Sequence, residues 1–441
     1  MRDRDLRVLL LSALRPAPDF SRLAVLRHCS VPQLHKLLRW LDQSGLALYF
    51  FTQLRDHRAL DNVPEQFSGA LEYRLEANQE RTRAMLSEFQ RLVESFHRND
   101  VIFCALKGVT LTPEFCRETN LRHQTDFDFL IAENSLEKAK NAMRSCGYEQ
   151  QETREAGELT FATPLAHVPS PNDNIYVIPR HREVDLLTSL CQQNHGVSID
   201  TGLGSFDNVE TKTLHGLSFP TLPTEEMFCL QVMHAFQHLL GSWVRVSWLF
   251  EIGYFIDGHC GDSDLWGAVM ERVGPDPKAR NAFGLIISLT KTLFPRQIPR
   301  LLEDWCLRPL SPRIEAWVTH FGLKTAVSDL DGTKLTLFVH SEFVDDRESW
   351  NSYLRDRIFP VGRRSSIGTA MTADPGTRIK LRVSEWRHAV CRAMFHTRSL
   401  FSLPVDALRW NYALRLVERQ RVPGLPALSR QVPSASKYST D

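Results

Sequence analysis

Apolar and polar residues follow a helical period through the first hundred positions of the chain. Leu34 and Leu38 belong to a series of leucines spaced three or four apart, and residues 5–52 together predict three short packed helices. Residues 68–99 predict one longer helix, because apolar side chains recur at the same spacing with Glu and Arg between them. We therefore expect a helical N-terminal region over residues 1–99.

The pattern then changes to short apolar runs that are typical of buried strands. Residues 101–106 form the first such run, and it ends in Lys107 and Gly108. The glycine permits a tight turn and the close backbone approach that a phosphate group needs. We expect residues 109–118 to turn back as a helix that breaks or begins near Pro113, with backbone N–H groups near Gly108 that favour a bound phosphate.

Residues 126–131 form a second run in which acidic and aromatic residues alternate. On a strand, Asp126 and Asp128 leave one face, about 7 Å apart at their Cα atoms, while Phe127 and Phe129 leave the other. Two neighbouring carboxylates are ligands that Mg²⁺ prefers, and Mn²⁺ binds similar donors. This strand therefore predicts a metal site.

A third carboxylate that could complete this site comes from residues 182–187, which form another short β-like run. Val184 and Leu186 share one face of this strand, and Glu183 and Asp185 share the other. We choose Asp185 as the third ligand and keep Glu183 as the alternative. Two metal ions about 4 Å apart, held by such carboxylates, can activate an attacking oxygen and stabilise a leaving one.

The segments around these runs predict a small mixed sheet with helices. A helix is expected over residues 135–146, since a capping pattern precedes it and a glycine follows it. Strands are expected at 148–153, 158–163 and 175–179, separated by glycine and proline signals. Residues 192–223 contain several glycines and are interpreted as a crossing to the next domain.

The second half of the chain predicts helices. An apolar helix from Thr224 to Leu240 carries Gln231, His234 and His238 as a polar stripe. Two His residues four positions apart can bind a metal, but no Glu follows the first, as it does in zinc proteases. We therefore expect these side chains in a substrate pocket or in hydrogen bonds of the core.

Further helices are expected at 243–256, 279–294 and 378–420, and the first two should form a bundle beside the sheet. The basic, amphipathic segment 378–420 is interpreted as a solvated helix. The last stretch, 422–441, is rich in Pro and Ser and is expected to be a disordered tail.

Composition narrows the classes of partner. The chain has 441 residues, of which 43% are hydrophobic and 24% are charged, as in ordinary globular proteins. The 53 Lys and Arg residues nearly balance the 52 Asp and Glu residues, which leaves a net charge of +1. A surface built for nucleic acid would be basic, so nucleic acid is not an expected partner.

Cysteine usage and hydropathy bear on the cellular compartment. The nine cysteines include no C-x-x-C pair and lie in apolar contexts, which indicates reduced thiols, without zinc or disulfides, in a cytoplasmic protein. The apolar run at residues 8–14 is short and is interpreted as part of a helix. No stretch approaches the ~18 apolar residues of a membrane span, so none is expected.

Several of these features together resemble the uncharacterised nucleotidyltransferase family of the polymerase-β-like nucleotidyltransferase superfamily. They are the Lys-Gly pair after a strand, Arg122 a few residues before the Asp-Phe-Asp run, and a helix that closes on Gly147. The resemblance spans most of residues 1–360, including the strand with Asp185 and the two-histidine helix. The chain departs from the pattern at Val109, where the superfamily has Gly or Ser, and at Leu187, where the family often has His.

The resemblance implies an α+β fold, with a polymerase-β-like nucleotidyltransferase core flanked by N-terminal and C-terminal helical regions. The four expected segments are an N-terminal helical region at 1–99, a catalytic core at 100–221, a C-terminal helical domain at 222–421 and the tail at 422–441.

The resemblance also implies site roles. Asp126, Asp128 and Asp185 would bind Mg²⁺ or Mn²⁺ and act in catalysis, while Lys107 and Gly108 would lie against the triphosphate of an NTP.

Two further roles stay open at this stage. Arg122 either orients a phosphate or pairs with Asp126. His234 or His238 would face the nucleotide or the acceptor.

The expected reaction is transfer of NMP from an NTP to an unidentified acceptor, a small molecule or a protein, with release of pyrophosphate. The alternative is a catalytically inactive accessory protein that binds a nucleotide or a partner protein, and the departures at Val109 and Leu187 support this second interpretation.

Overall fold

The computed structural model shows a mixed α+β protein in which one seven-stranded sheet lies among many helices. The structure describes residues 1–151, 157–163, 175–177, 182–190, 192–194, 196–199, 201–328, 333–358 and 375–420. The predicted tail at 422–441 lies outside the described residues.

The N-terminal region is helical, as predicted. Its α-helices are α1 (Asp3–Ser12), α2 (Val31–Ser44), α3 (Ala47–Asp56) and α4 (Glu65–Arg98), with a 3-10 helix at Ser21–His28 between α1 and α2. Helix α2 starts with a capping box in which Ser30 and Gln33 satisfy each other's backbone N–H groups, and it ends at Gly45 with φ +75°. The long helix α4 leads directly to the first strand.

The strands of the structure are β1 (Phe103–Leu106), β2 (Asp126–Ile131), β3 (Glu149–Gln150), β4 (Glu158–Ala162), β5 (Glu183–Leu187), β6 (Gln192–Asn194), β7 (Val197–Ile199), β8 (Glu210–Leu214) and β9 (Leu217–Thr221). The large sheet has the order β3-β4-β5-β2-β1-β9-β8, and β6 and β7 form a separate hairpin. Strand β2 pairs in parallel with β5 and antiparallel with β1, so the sheet is mixed, as predicted.

Alternation along the strands assigns the two faces of the sheet. Phe127 and Phe129 on β2 and Val184 on β5 point to one face, where they form an apolar core with α4 and with α5 (Leu136–Ser145). Phe89 of α4 stacks on Phe129 with ring centroids 5.7 Å apart. Because this face is filled by apolar side chains, the acidic positions of β2 and β5 must lie on the opposite face.

Two sequence predictions about strands are wrong. The described part of the predicted strand 175–179, residues 175–177, is a turn, and the remainder lies outside the described residues. Residues 192–223 are not a plain crossing, because they contain β6 to β9, and β9 pairs in parallel with β1. His215 and Gly216 join β8 to β9 with φ values of +51° and +80°, the conformation of a two-residue hairpin turn.

The C-terminal part is helical, as predicted. Its helices are α6 (Thr224–Leu240), α7 (Val246–Gly258), α8 (Ser263–Val273), α9 (Pro277–Leu293), α10 (Arg300–Leu302), α11 (Pro312–Trp317), α12 (Leu323–Ala326), α13 (Leu337–His340), α14 (Arg347–Ile358) and α15 (Pro375–Gln420). Helix α8 was not predicted. Asp262 caps its N-terminus, because the carboxylate accepts a hydrogen bond from the N–H of Leu265.

Helices from both ends of the chain share one core. Tyr49 of α3 packs on Phe250 of α7 with ring centroids 4.9 Å apart, and residues of α1 to α3 belong to the same apolar cluster as α6 to α9. This cluster also contains Leu130, which shares a face of β2 with Asp126 and Asp128, so the helices pack on the acidic face of the sheet. The domain limits given above stay a prediction.

Candidate active site

The centre of the candidate site is the register between β2 and β5. Asp126 lies beside Glu183 and Asp128 lies beside Asp185 in this parallel pair, so all four carboxylates leave the same face of the sheet. The sequence prediction that Asp126, Asp128 and Asp185 share a face is therefore confirmed.

Asp185 accepts a hydrogen bond from β4, the strand that pairs with β5 on the side away from β2. The hydroxyl of Thr160 on β4 donates a hydrogen bond of 2.8 Å to Oδ1 of Asp185. The pKa of Asp185 is raised to about 7, chiefly by burial and next by the nearby charge of Asp128, while the hydrogen bond from Thr160 lowers it. Asp185 thus interacts with the Asp pair of β2, which favours it over Glu183 as the third carboxylate.

Asp126 shows the same crowding of negative charge. Burial raises its pKa, and repulsion from Asp128 adds to the effect, while the charges of Lys107 and Arg122 lower it. Burial and repulsion therefore oppose ionisation of Asp126, and a positive charge close to it would favour the ionised carboxylate.

Lys107 lies among these carboxylates. Its ammonium group is 3.2 Å from Oδ1 of Asp128, and both side chains are largely buried. Burial lowers the pKa of Lys107, but attraction from Asp128, Asp126 and Asp185 outweighs it, so the net pKa is raised. The Lys107 backbone has φ +46°, a conformation that side-chain-bearing residues adopt rarely and often at functional sites.

Gly108 follows at the end of β1 and is fully enclosed. Its φ is +49°, and a Cβ atom there would lie 2.2 Å from Nε2 of Gln124. That amide donates a hydrogen bond of 2.9 Å to the carbonyl of Asp126, so Gly108 and the start of β2 are packed against each other through Gln124. No feature of the sequence pattern pointed to Gln124.

The predicted helix at 109–118 is wrong. Residues Gly108–Leu111 form a single 3-10 turn, which Thr110 closes by donating from its N–H and its hydroxyl to the carbonyl of Lys107. Thr112 is extended, as residues before proline usually are, so the chain cannot continue as a helix into Pro113.

Arg122 pairs with a residue that the sequence did not assign to the site. Its Nε lies 3.2 Å from Oε1 of Glu251 on α7, and the Glu251 side chain is fully buried. Tyr49 donates a hydrogen bond of 2.9 Å to the same carboxylate. The pairing with Asp126 that the sequence left open is therefore not the ion pair that forms. The sequence feature that could have indicated this ion pair is Glu251 itself, a single Glu in the otherwise apolar segment of α7.

The rings of His234 and His238 on α6 meet edge to face, with centroids 4.5 Å apart, and the ring of Trp248 on α7 lies within 4.6 Å of each. Burial lowers the pKa of His234 well below its usual value, and the charge of Lys107 lowers it further. His234 is therefore a neutral ring near Lys107, and these three rings form an aromatic wall beside the acidic face.

Arg81 was also not identified from the sequence. It is buried on α4 and donates hydrogen bonds to the carbonyl of Gln124, directly before β2. The pKa of Arg81 is lowered to about 10, chiefly by burial and next by the charge of Arg182, although Asp126 acts in the opposite direction. Arg81 therefore fixes the loop that carries the chain into the Asp pair.

The donor chemistry of the acidic face suits a hard cation, since the three Asp side chains offer oxygen ligands with excess negative charge. Among the described residues, no group of three or more His, Cys, Asp or Glu side chains is close enough to hold a metal ion as placed. The three Asp residues supply oxygen donors of the type that such a cation prefers, and one of them, Asp128, is in contact with Lys107.

Comparison with protein families places the chain in one of them. A family model described as an uncharacterised nucleotidyltransferase matches residues 31–295, more than half of the chain. The match includes every candidate site residue named above. No curated protein and no solved structure matches the chain. Within the described residues, the helices are too short or too polar to cross a membrane.

Proposed function

The chain belongs to the uncharacterised nucleotidyltransferase family, and from this premise we propose that it is a metal-dependent nucleotidyltransferase. It would transfer NMP from an NTP to an acceptor, a small molecule or a protein, and release pyrophosphate. The observation that carries the proposal is the set of three carboxylates on β2 and β5 beside Lys107. We also propose that β1, β2 and β5, with α4 and α5, form a polymerase-β-like core.

Asp126, Asp128 and Asp185 would hold Mg²⁺ or Mn²⁺ in this proposal. When bound, the cation supplies positive charge to the triphosphate and to the developing negative charge of the reaction. The carboxylates supply the binding site, and their mutual repulsion is the reason that they would accept a divalent cation readily.

Residues of the chain would have separate roles in proton transfer, phosphate binding and base binding. An acceptor oxygen would attack the α-phosphorus, the bond to the pyrophosphate oxygen would break, and Asp185 would receive the proton of the acceptor. Lys107 supplies a compact positive charge for the phosphates, and Gly108 allows them to approach the backbone. The wall of His234, His238 and Trp248 offers an apolar surface on which a base can stack.

A second candidate function has support from one contact. Lys107 already neutralises Asp128, as expected of a protein that keeps the fold but no longer binds metal. Together with Val109 and Leu187, this contact supports an inactive accessory protein that binds a nucleotide or a partner protein.

The decisive experiment incubates purified protein with each of the four labelled NTPs, Mg²⁺ and a cell lysate, and follows the label into new products. Asp126→Asn and Asp128→Asn serve as controls, because each removes one proposed ligand. Labelled product with wild type alone supports the transferase. Absence of product with every NTP, or equal labelling by the variants, contradicts it. Nuclease treatment of the lysate tests our expectation that nucleic acid is not the acceptor.

A further inference from the structure

A cavity of about 690 Å³ lies between the N-terminal helices and α7. Its walls come from α3, from α7, from the end of α1 and from the loop after Gly108. None of Lys107, Asp126, Asp128 and Asp185 lines it. Its volume falls in the range of sites for small molecules.

Three side chains that line the cavity each carry a buried polar atom for which the protein supplies no hydrogen-bond partner. Oγ1 of Thr52, Nε of Arg15 and Nε of Arg296 are buried and have no hydrogen-bond partner. Thr52 is 5% exposed, and the side chain of Arg296 is 8% exposed. A buried donor without a partner costs free energy, so a ligand that accepts these hydrogen bonds would recover it.

Three Arg side chains and three acidic side chains line the cavity, and Arg15 alone among the three Arg side chains is not in an ion pair of the described residues. Arg117 pairs with Asp56, and Arg296 pairs with Asp257. Glu114, the remaining acidic residue of the wall, pairs with Lys212 outside the cavity. Among the described residues, Arg15 has no carboxylate in ion-pair contact. One cationic side chain is therefore available for an anionic ligand.

The remaining walls are apolar and aromatic. Phe250 packs on Tyr49, and Tyr254 and Leu121 also face the cavity. Such a surface binds an apolar ring or chain through burial of its surface from water.

We propose that this cavity binds a small amphipathic anion, with an apolar body and one carboxylate or phosphate group. The anionic group would contact Arg15 and Arg296, and Thr52 would donate its hydroxyl to it. The Arg122–Glu251 pair, to which Tyr49 donates, separates this site from the acidic face. The occupant is therefore a different ligand from the NTP, and its binding does not depend on nucleotidyl transfer.

The test is calorimetric titration of the full chain, in EDTA and without nucleotide, with three probes of one shape. These probes are 2-naphthoate, 2-naphthyl phosphate and the neutral 2-naphthylmethanol. We expect the anions to bind about tenfold more tightly than the alcohol, as a hydrogen bond to a charged group implies. Comparison of the two anions distinguishes a carboxylate ligand from a phosphate ligand.

Arg15→Gln should remove the preference for anions, and Thr52→Val should weaken anion binding severalfold. Neither substitution removes a hydrogen bond made by Nε of Arg15 or Oγ1 of Thr52, so neither variant should melt at a lower temperature than wild type. Arg308→Gln, on the surface of the chain, is the matched control and should bind as wild type does. Equal binding of anions and alcohol, no binding of any probe at millimolar concentration, or an unchanged preference in Arg15→Gln would overturn the proposal.

Discussion

The ammonium group of Lys107 lies 3.2 Å from Oδ1 of Asp128, across the gap between the end of β1 and the face of β2. Each charge is largely buried, so each depends on the other for its solvation. Asp126, which is next to Asp128 on the same face, is in the opposite situation, since burial and the negative charge of Asp128 both oppose its ionisation. The two aspartates should therefore respond differently to the same substitution.

We expect Asp128→Asn to lower the free energy of unfolding by about 1–3 kcal/mol, because the substitution leaves a buried ammonium group without its closest partner. Asp126→Asn should leave stability unchanged or raise it, because the substitution removes repulsion. Urea unfolding at neutral pH in EDTA measures both effects.

Activity should not follow stability in this pair, since each variant loses a proposed metal ligand and both should lose nucleotidyl transfer. If Asp126→Asn were the less stable variant, the carboxylate of Asp126 would be a structural group, and its loss of activity would carry no information about metal binding.

Alternation of apolar and acidic residues was sufficient to predict the face of the sheet. The pattern of β2 and β5 is local, and the burial of Phe127, Phe129 and Val184 under α4 leaves the acidic residues only one direction. The same logic predicted the long helices, whose spacing extends over many turns.

Contacts between distant segments could not be predicted in this way. Glu251 lies 129 positions after Arg122, and Thr160 reaches Asp185 only because β4 and β5 are neighbours in the sheet. The β8–β9 hairpin was not predicted, because its residues lie in the glycine-containing segment 192–223 that the sequence analysis interprets as a crossing to the next domain. The helix expected at 109–118 fails because the local hydrogen bonds of Thr110 close a 3-10 turn instead.

Gly108→Ala should be more destabilising than an ordinary substitution at a left-handed glycine. Gly108 and Gly147 both have positive φ, but a Cβ atom at Gly108 would meet Gln124 at 2.2 Å, whereas nothing lies within 4 Å of one at Gly147. Gly147→Ala should therefore cost about 1–2 kcal/mol from the backbone alone, and Gly108→Ala should cost more.

The excess cost can be assigned by a double-mutant cycle. Adding Gln124→Ala to Gly108→Ala removes the clash, so the two substitutions together should cost less than the sum of their separate effects. Denaturant unfolding of the four proteins measures this. Strict additivity would show that Gly108 is required only for its backbone conformation.

Stability should fall with rising pH because of Asp185. Folding raises the pKa of this carboxyl from 3.8 to about 7, so the native state binds the proton more tightly than the unfolded state. The stabilisation is complete below the unfolded pKa and is lost as the pH rises through the native one, by up to ~1.4 kcal/mol for each pH unit between them.

In Asp185→Asn this loss should be absent, so the variant should gain in melting temperature relative to wild type as the pH increases from about 4 to about 7. Calorimetric scans in EDTA measure the difference. Asp61→Asn, at an exposed aspartate, is the control and should run parallel to wild type. A constant difference between wild type and Asp185→Asn across this range would show that Asp185 is ionised throughout.

Linkage between metal and nucleotide distinguishes a working transferase from an inactive binding protein. The triphosphate must approach three carboxylates, and a divalent cation removes that repulsion. NTP should therefore bind more tightly in Mg²⁺ than in EDTA, and Asp128→Ala should remove most of the difference. Asp304→Ala, on the surface of the chain, should keep it.

Calorimetric titration of each NTP, with and without Mg²⁺, gives these affinities for wild type and Asp128→Ala. Because linkage is reciprocal, Mg²⁺ should also bind more tightly when NTP is present, by the same factor. The Lys107→Met variant extends this experiment, because it removes the ammonium group that contacts Asp128. Without nucleotide, Mg²⁺ should bind more tightly to this variant than to wild type, since the ammonium group and Mg²⁺ compete for one carboxylate. Equal NTP affinities in Mg²⁺ and EDTA for both proteins would contradict the enzyme and leave the inactive binding protein as the better description.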